Sequence, residues 1–251
     1  MRKRLGILPL VLLITLVWRV PTASAAAEFH RFNVVLSAVP TQIRATDFND
    51  LIEVTNRTQL VSRGLAPLDK ITLSWLLDVE MRYFVRQNLA VSMGVGRLKK
   101  VSSQEYLPAI AQSIVLAASI SSVPLHAGAA YYFKPYNQGD FQARAYVGAG
   151  FMSLVNSRAS LSVSATGIDL GPAGGIGVGA TNDGPGYYGE LGAHLFFATR
   201  YSVQLSGLYR STEARNLVDE RTRVPLRDAR GRPIGLDVGG AGFRMALGIG
   251  L

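Results

Sequence analysis

The chain contains no cysteine. A 251-residue protein without disulfides must be held together by an ordinary core or by membrane insertion. Beyond residue 25 there is also no apolar run approaching the ~20 residues that a membrane helix requires, which excludes a helical membrane protein. Charge is scarce and scattered: charged residues make up 17% of the chain, and its 26 basic and 17 acidic residues are interspersed. A nucleic-acid surface would gather its basic residues into a stripe, and none is present.

What is present begins with an export signal. Arg2, Lys3 and Arg4 precede the apolar run Leu5 to Val17, Pro21 breaks the run, and Ala23-Ser24-Ala25 supplies a small-x-small cleavage pattern. Arg19 ends the apolar stretch too early for a span. Residues 1–25 are therefore expected to be a cleaved signal peptide (Ala27 is the alternative site), with residues 26–251 forming one domain. The signal carries four of the 26 basic residues, so the remaining chain has 26 − 4 = 22 against 17 acids, a modest +5.

The domain reads at period two. Ile71, Leu73, Trp75, Leu77, Val79, Met81, Tyr83 and Val85 alternate with Thr72, Ser74, Leu76, Asp78, Glu80, Arg82 and Phe84, a run too long for a typical soluble strand. Phe141 to Phe151, Tyr187 to Phe197 and Phe243 to Leu251 repeat the pattern. Aromatics mark both ends of the apolar faces. Trp75 and Tyr83 lie eight residues apart, as do Tyr201 and Tyr209, while Phe141 and Phe151 lie ten apart, as do Tyr187 and Phe197. At about 2.5 Å of axial climb per tilted residue this separation is about 20–25 Å, the height of an apolar band between two aromatic girdles.

Connections alternate in length. Short turns fall at Arg86-Gln87-Asn88, Lys134 to Asp140 and Thr199-Arg200, and long links at 44–70, 167–185 and 212–234. The expected strands are 29–43, 71–86, 89–105, 109–133, 140–166, 186–199, 201–213 and 235–251, the fifth shorter than its range. The apolar phase of the fourth flips near Ser121-Ser122, which predicts a bulge. The fold class that follows is all-β: a transmembrane antiparallel up-and-down barrel of about eight strands with both termini inside, at the short-turn end. In the first long link, Phe48, Leu51, Ile52 and Leu60 are spaced for a short surface helix, with a partly ordered loop as the other reading. The glycine-rich Gly171 to Gly186 lacks a Gly-Lys-Ser/Thr ending, so a flexible hairpin tip is expected there rather than a phosphate loop.

Val123-Pro124-Leu125, Gly128, Tyr131-Tyr132-Phe133, Tyr146-Val147-Gly148-Ala149-Gly150 and the alternating C-terminal strand resemble the small outer-membrane β-barrel family that includes OmpX, OmpW and the OmpA membrane domain. One departure is Leu251, where that family prefers a terminal aromatic. The resemblance implies an eight-stranded barrel in the bacterial outer membrane. Its partners would be outer-membrane lipid, lipopolysaccharide and, through the last strand, the barrel-assembly machinery.

The inward faces supply Asp78, Glu80 and Glu190 against Arg82, Arg144 and Arg244, a matched set expected to neutralise itself as a lumen network with Gln142, Tyr146 and Gln204. His30, His126 and His194 have no cysteine or carboxylate cluster at ligand spacing, so neither metal nor cofactor is expected. Ser202 or Ser206 with a histidine would suit a lipid-modifying enzyme, but no local motif selects either. The expected function is non-enzymatic, a structural or surface-interaction role through the outer loops over a closed polar lumen. The alternatives are a narrow channel or lateral gate for small or hydrophobic solutes and, third, the lipid-modifying enzyme. The sequence sets no oligomeric state.

Overall fold

Period-two alternation becomes period-two burial. In a computed structural model describing residues 30–109, 112–166, 178–197, 200–220, 222–227 and 231–251, Leu73–Arg86 alternates exposed and buried residues along nearly its whole length. Eight long strands form a ring: β1 (Phe32–Gln42), β2 (Leu73–Arg86), β3 (Leu89–Ala109), β4 (Gln112–Tyr132), β5 (Phe141–Thr166), β6 (Val178–Phe197), β7 (Tyr201–Ala214) and β8 (Gly240–Gly250). Each is antiparallel to the next, and β8 closes on β1 from Asn33↔Gly250 to Thr41↔Gly242. Closure removes the edges that an open sheet would leave unpaired. This is the architecture that the resemblance implies. The signal segment, Ala25 and Ala27 lie outside the described residues.

The eight aromatics of the expected girdles all point away from the ring's interior. Phe141 and Phe197 pair across β5 and β6 at one end, with ring centroids 5.8 Å apart, and Phe151 pairs with Tyr187 at the other. Arg97 apart, the described outward positions between the two levels are apolar or small, among them Leu36, Val79, Met93, Val147, Leu191 and Leu205. The ends are called here the turn end, carrying Gln87-Asn88 and the chain termini, and the loop end.

Four strands run far beyond the loop-end girdle. β5 spans 26 residues, almost the whole of 140–166, and the expectation that it would be shorter than that range is corrected. The reason is packing: Ala159 is buried, and Leu161 and Val163 pack against an apolar core that sits inside the ring at the loop end. β6 likewise begins at Val178 rather than 186, so 178–186 is strand and not hairpin tip, while 171–177 lie outside the described residues. Its glycines there serve close approach. A Cβ on Gly184 would lie 2.2 Å from the Glu213 carbonyl oxygen. Gly184→Ala is therefore expected to cost about 1–3 kcal/mol by overpacking in a urea titration, whereas a loose tip would tolerate it freely. The predicted bulge is present, as the β4–β5 register shifts between Ser121 and Val123.

The helix in the first long link forms as α1 (Thr46–Thr55), with Asp47 in its first turn, and continues through irregular turns to Arg63. It is more than a surface helix. Phe48, Ile52 and Leu60 are buried in the loop-end core with Leu217, Ile234 and Leu236 from the link between β7 and β8. Two asparagines fasten the returning chain. Asn49 bonds the Ile71 N–H and carbonyl at 2.8 and 3.0 Å, and Asn56 bonds those of Leu68 at 2.8 and 2.9 Å. α1 thus closes the ring like a stopper.

Candidate functional site: the charged layer inside the barrel

The even positions of β2 send Asp78, Glu80 and Arg82 inward, where each is almost wholly buried. Register then decides their partners. β6, across the ring from β2, contributes Glu190, and β8, two strands from β2 through β1, contributes Arg244. Arg244 donates to Glu80 at 3.1 Å, Glu190 at 3.2 Å and Asp78 at 3.3 Å. Arg82 pairs with Glu80 at 2.5 Å and Glu190 at 3.3 Å. Every one of the three carboxylates therefore has at least one guanidinium, and Glu80 and Glu190 have two. Taking such charges out of water is costly unless geometry and hydrogen bonds compensate, and here each is multiply bonded.

Arg144, expected in this network, lies elsewhere. Its register partner is His194, two inward positions nearer the turn end than Glu190, where Arg144 donates to Gln142 Oε1 at 2.7 Å and to the Gln87 carbonyl and stacks over Phe196. A third buried cation stands in its place. Arg210 on β7, 2% exposed, donates to Thr41 Oγ1. With Arg144 counted, four buried arginines face three buried carboxylates among the described residues. Gln204 donates to Tyr146, and Arg82 stacks over the Tyr146 ring, so these two side chains border the layer, whereas Gln142 stays with Arg144.

His126 also joins the layer. Its Nε2 lies 2.9 Å from Asp78 Oδ1, although β3 runs between the two strands. Bare backbone makes this possible, since a Cβ on Gly94 of β3 would lie 2.5 Å from His126 Nε2. Asp78, Glu80 and His126 consequently offer ligand atoms within 4.8 Å of one another, a grouping that local spacing did not reveal. These are the residues that could hold a cation. Arg244 and Arg82 already occupy both carboxylates, so a metal would have to displace a guanidinium.

Toward the turn end the polar chain continues. Arg82 donates to Tyr132 Oη at 2.6 Å, Tyr132 Oη meets His194 Nδ1 at 3.1 Å, and His194 Nε2 lies 2.9 Å from Ser202 Oγ. The structure thus selects Ser202 and not Ser206 as a histidine partner. Nucleophile–base distance is met, but both groups are buried, and Ser202 Oγ packs against the bare backbone of Gly248, where a Cβ would lie 2.2 Å from it.

Apolar layers flank the charges on both sides. The loop-end core lies above, while Phe84, Ala90, Ala130, Tyr132, Tyr146 and Phe196 cluster below. The void bordering the cluster, between Leu76, Pro124, Met152 and Leu208, is about 10 Å³, room for one water at most.

Two solved structures are similar to the chain. The crystal structure of Neisserial surface protein A is similar over 88% of this chain and 97% of that one, at 14% identity and a TM-score of 0.39. The N-terminal β-barrel domain of Pseudomonas aeruginosa OprF is similar over 86% and 96%, at 12% identity and a TM-score of 0.30. No family model and no curated protein matches the chain.

Proposed function

We propose that the protein is an integral barrel of the bacterial outer membrane, non-enzymatic, with a closed polar lumen and a structural or surface-interaction role through its loop end. One observation carries this reading: an outward belt of apolar residues, interrupted by Arg97, circles the ring between two aromatic levels while the carboxylates Asp78, Glu80 and Glu190 and their arginines face inward. In water such a belt far exceeds the apolar patch that a soluble monomer exposes. The loop end is assigned to the outside, because outer-membrane barrels carry short turns on the periplasmic side. The surroundings of the belt would be lipid and lipopolysaccharide, and the alternating strand β8 is the segment offered to the barrel-assembly machinery.

The closed lumen is supported by the apolar layers above and below the charges, since an ion path would have to cross both. In planar bilayers the protein is expected to give no sustained single-channel conductance, and stable openings would restore the narrow-channel reading. The belt is tested separately. The chain lacking residues 1–25 should require detergent or lipid to fold, and a monomeric β-rich state in plain buffer would refute the barrel's membrane placement.

A further inference from the structure

The outward wall has a dent. Ala38 on β1 stands between Leu77 on β2 and Met245 on β8, and its short side chain leaves a groove of about 670 Å³ that runs from β7 to β3. Its walls are Leu36, Leu77, Val95, Leu205 and Met245, and Arg97 closes it on β3.

Arg97 is out of keeping with its surroundings. Among the described outward positions between the two aromatic levels it is the one charged residue. Its register partner is Leu77, and that of Lys99 is Trp75, so the two cations bracket the loop-end girdle where other strands carry aromatics. On β3 that girdle is basic. The opposite flank of the groove carries a cation at its loop end too. Exposed Arg44, just beyond β1, donates to Tyr209 Oη at 3.0 Å and lies 5.9 Å from the centre of that ring.

An apolar groove alone would accept any acyl chain. Cations on both flanks, at the depth of the headgroups, select for phosphate. With the loop end outward, the lipid that brings several acyl chains and two phosphates on one headgroup is the lipid A part of lipopolysaccharide. We infer that the groove is a lipid A docking site, with acyl chains lying over Ala38 and phosphates held by Arg97 and Lys99 on one side and Arg44 on the other. This rests on the outer-membrane reading above.

The test is native mass spectrometry of the protein extracted from outer membranes in mild detergent, with its heat-modifiable gel migration recorded to confirm a folded barrel. The native chain should retain lipid A as a discrete adduct. Arg97→Gln, Lys99→Gln and Arg44→Gln should each lower the retained fraction about fivefold. Ala38→Phe, which fills the dent, should lower it with every cation in place. Arg31→Gln, exposed at the turn end, should leave it unchanged. A folded protein without the adduct overturns the docking site and leaves the barrel reading standing. So does an adduct that survives both Ala38→Phe and removal of the three cations, or one that phosphatidylglycerol replaces equally well. Absence of the protein from the outer-membrane fraction overturns both readings.

Discussion

Arg244→Ala is expected to cost about 3–5 kcal/mol of folding stability in lipid vesicles, the largest effect of any single substitution in the interior. Its guanidinium is the one group bonded to all three carboxylates, at 3.1–3.3 Å. Removing it leaves Asp78 with His126 and Ser37 as its bonded neighbours among the described residues, in a layer capped by apolar residues on both sides. A buried anion without a counter-charge has no water to turn to. Arg144→Ala supplies the control. That side chain bonds an amide oxygen and a turn carbonyl rather than the carboxylate layer, so its loss is expected to cost about 1 kcal/mol. The measurement is urea refolding followed by the folded gel band. Near-equal small costs for both variants would mean that water reaches the carboxylates, and the closed lumen would have to be given up.

Val147→Arg should cost about 2–4 kcal/mol in the same titration. Val147 lies outward on β5 between Phe141 and Phe151, the level at which a guanidinium has the furthest to reach for water. Val79 and Leu205, also outward between the girdles, should behave alike. The contrast is Ser121→Arg, outward on β4 but in the row of Lys99 and Arg158, above the belt. There the expected cost is within about 0.5 kcal/mol. If Ser121→Arg proved as damaging as Val147→Arg, the belt would have no upper boundary at the girdle.

The ring itself was legible because strand periodicity is a local property: Leu73 to Val85 reports its two faces without reference to any other segment. The bulge at Ser121 was legible for the same reason, as a change of phase. Partners inside the ring were not, since they depend on register. His126 meets Asp78 across 48 positions of sequence, and only the bare Gly94 between them makes room. Arg210 occupies an inward phase on β7 and could have been read from alternation with Gln204, Ser206 and Leu208. Arg144 shares that phase on β5, but phase does not give height, and height separated it from the carboxylates. The length of β5 was missed because its loop-end part, Ser157 to Thr166, alternates small residues with modest apolar ones, a weak signal until α1 and Leu217 provide a core for it.

The placement of Arg244 also bears on the order in which the barrel can be completed. Arg244 belongs to β8, the last of the eight strands in chain order, while two of its carboxylate partners belong to β2. They are two strands apart through β1 in the finished ring but far apart in an open sheet, where β8 reaches β2 only after pairing with β1. Until that seam forms, Asp78 and Glu80 lack this cation, and an open sheet that slipped into lipid would carry them there under-neutralised. Closure in this register is therefore expected to be favoured over a misregistered seam, because only there does Arg244 meet Asp78 and Glu80.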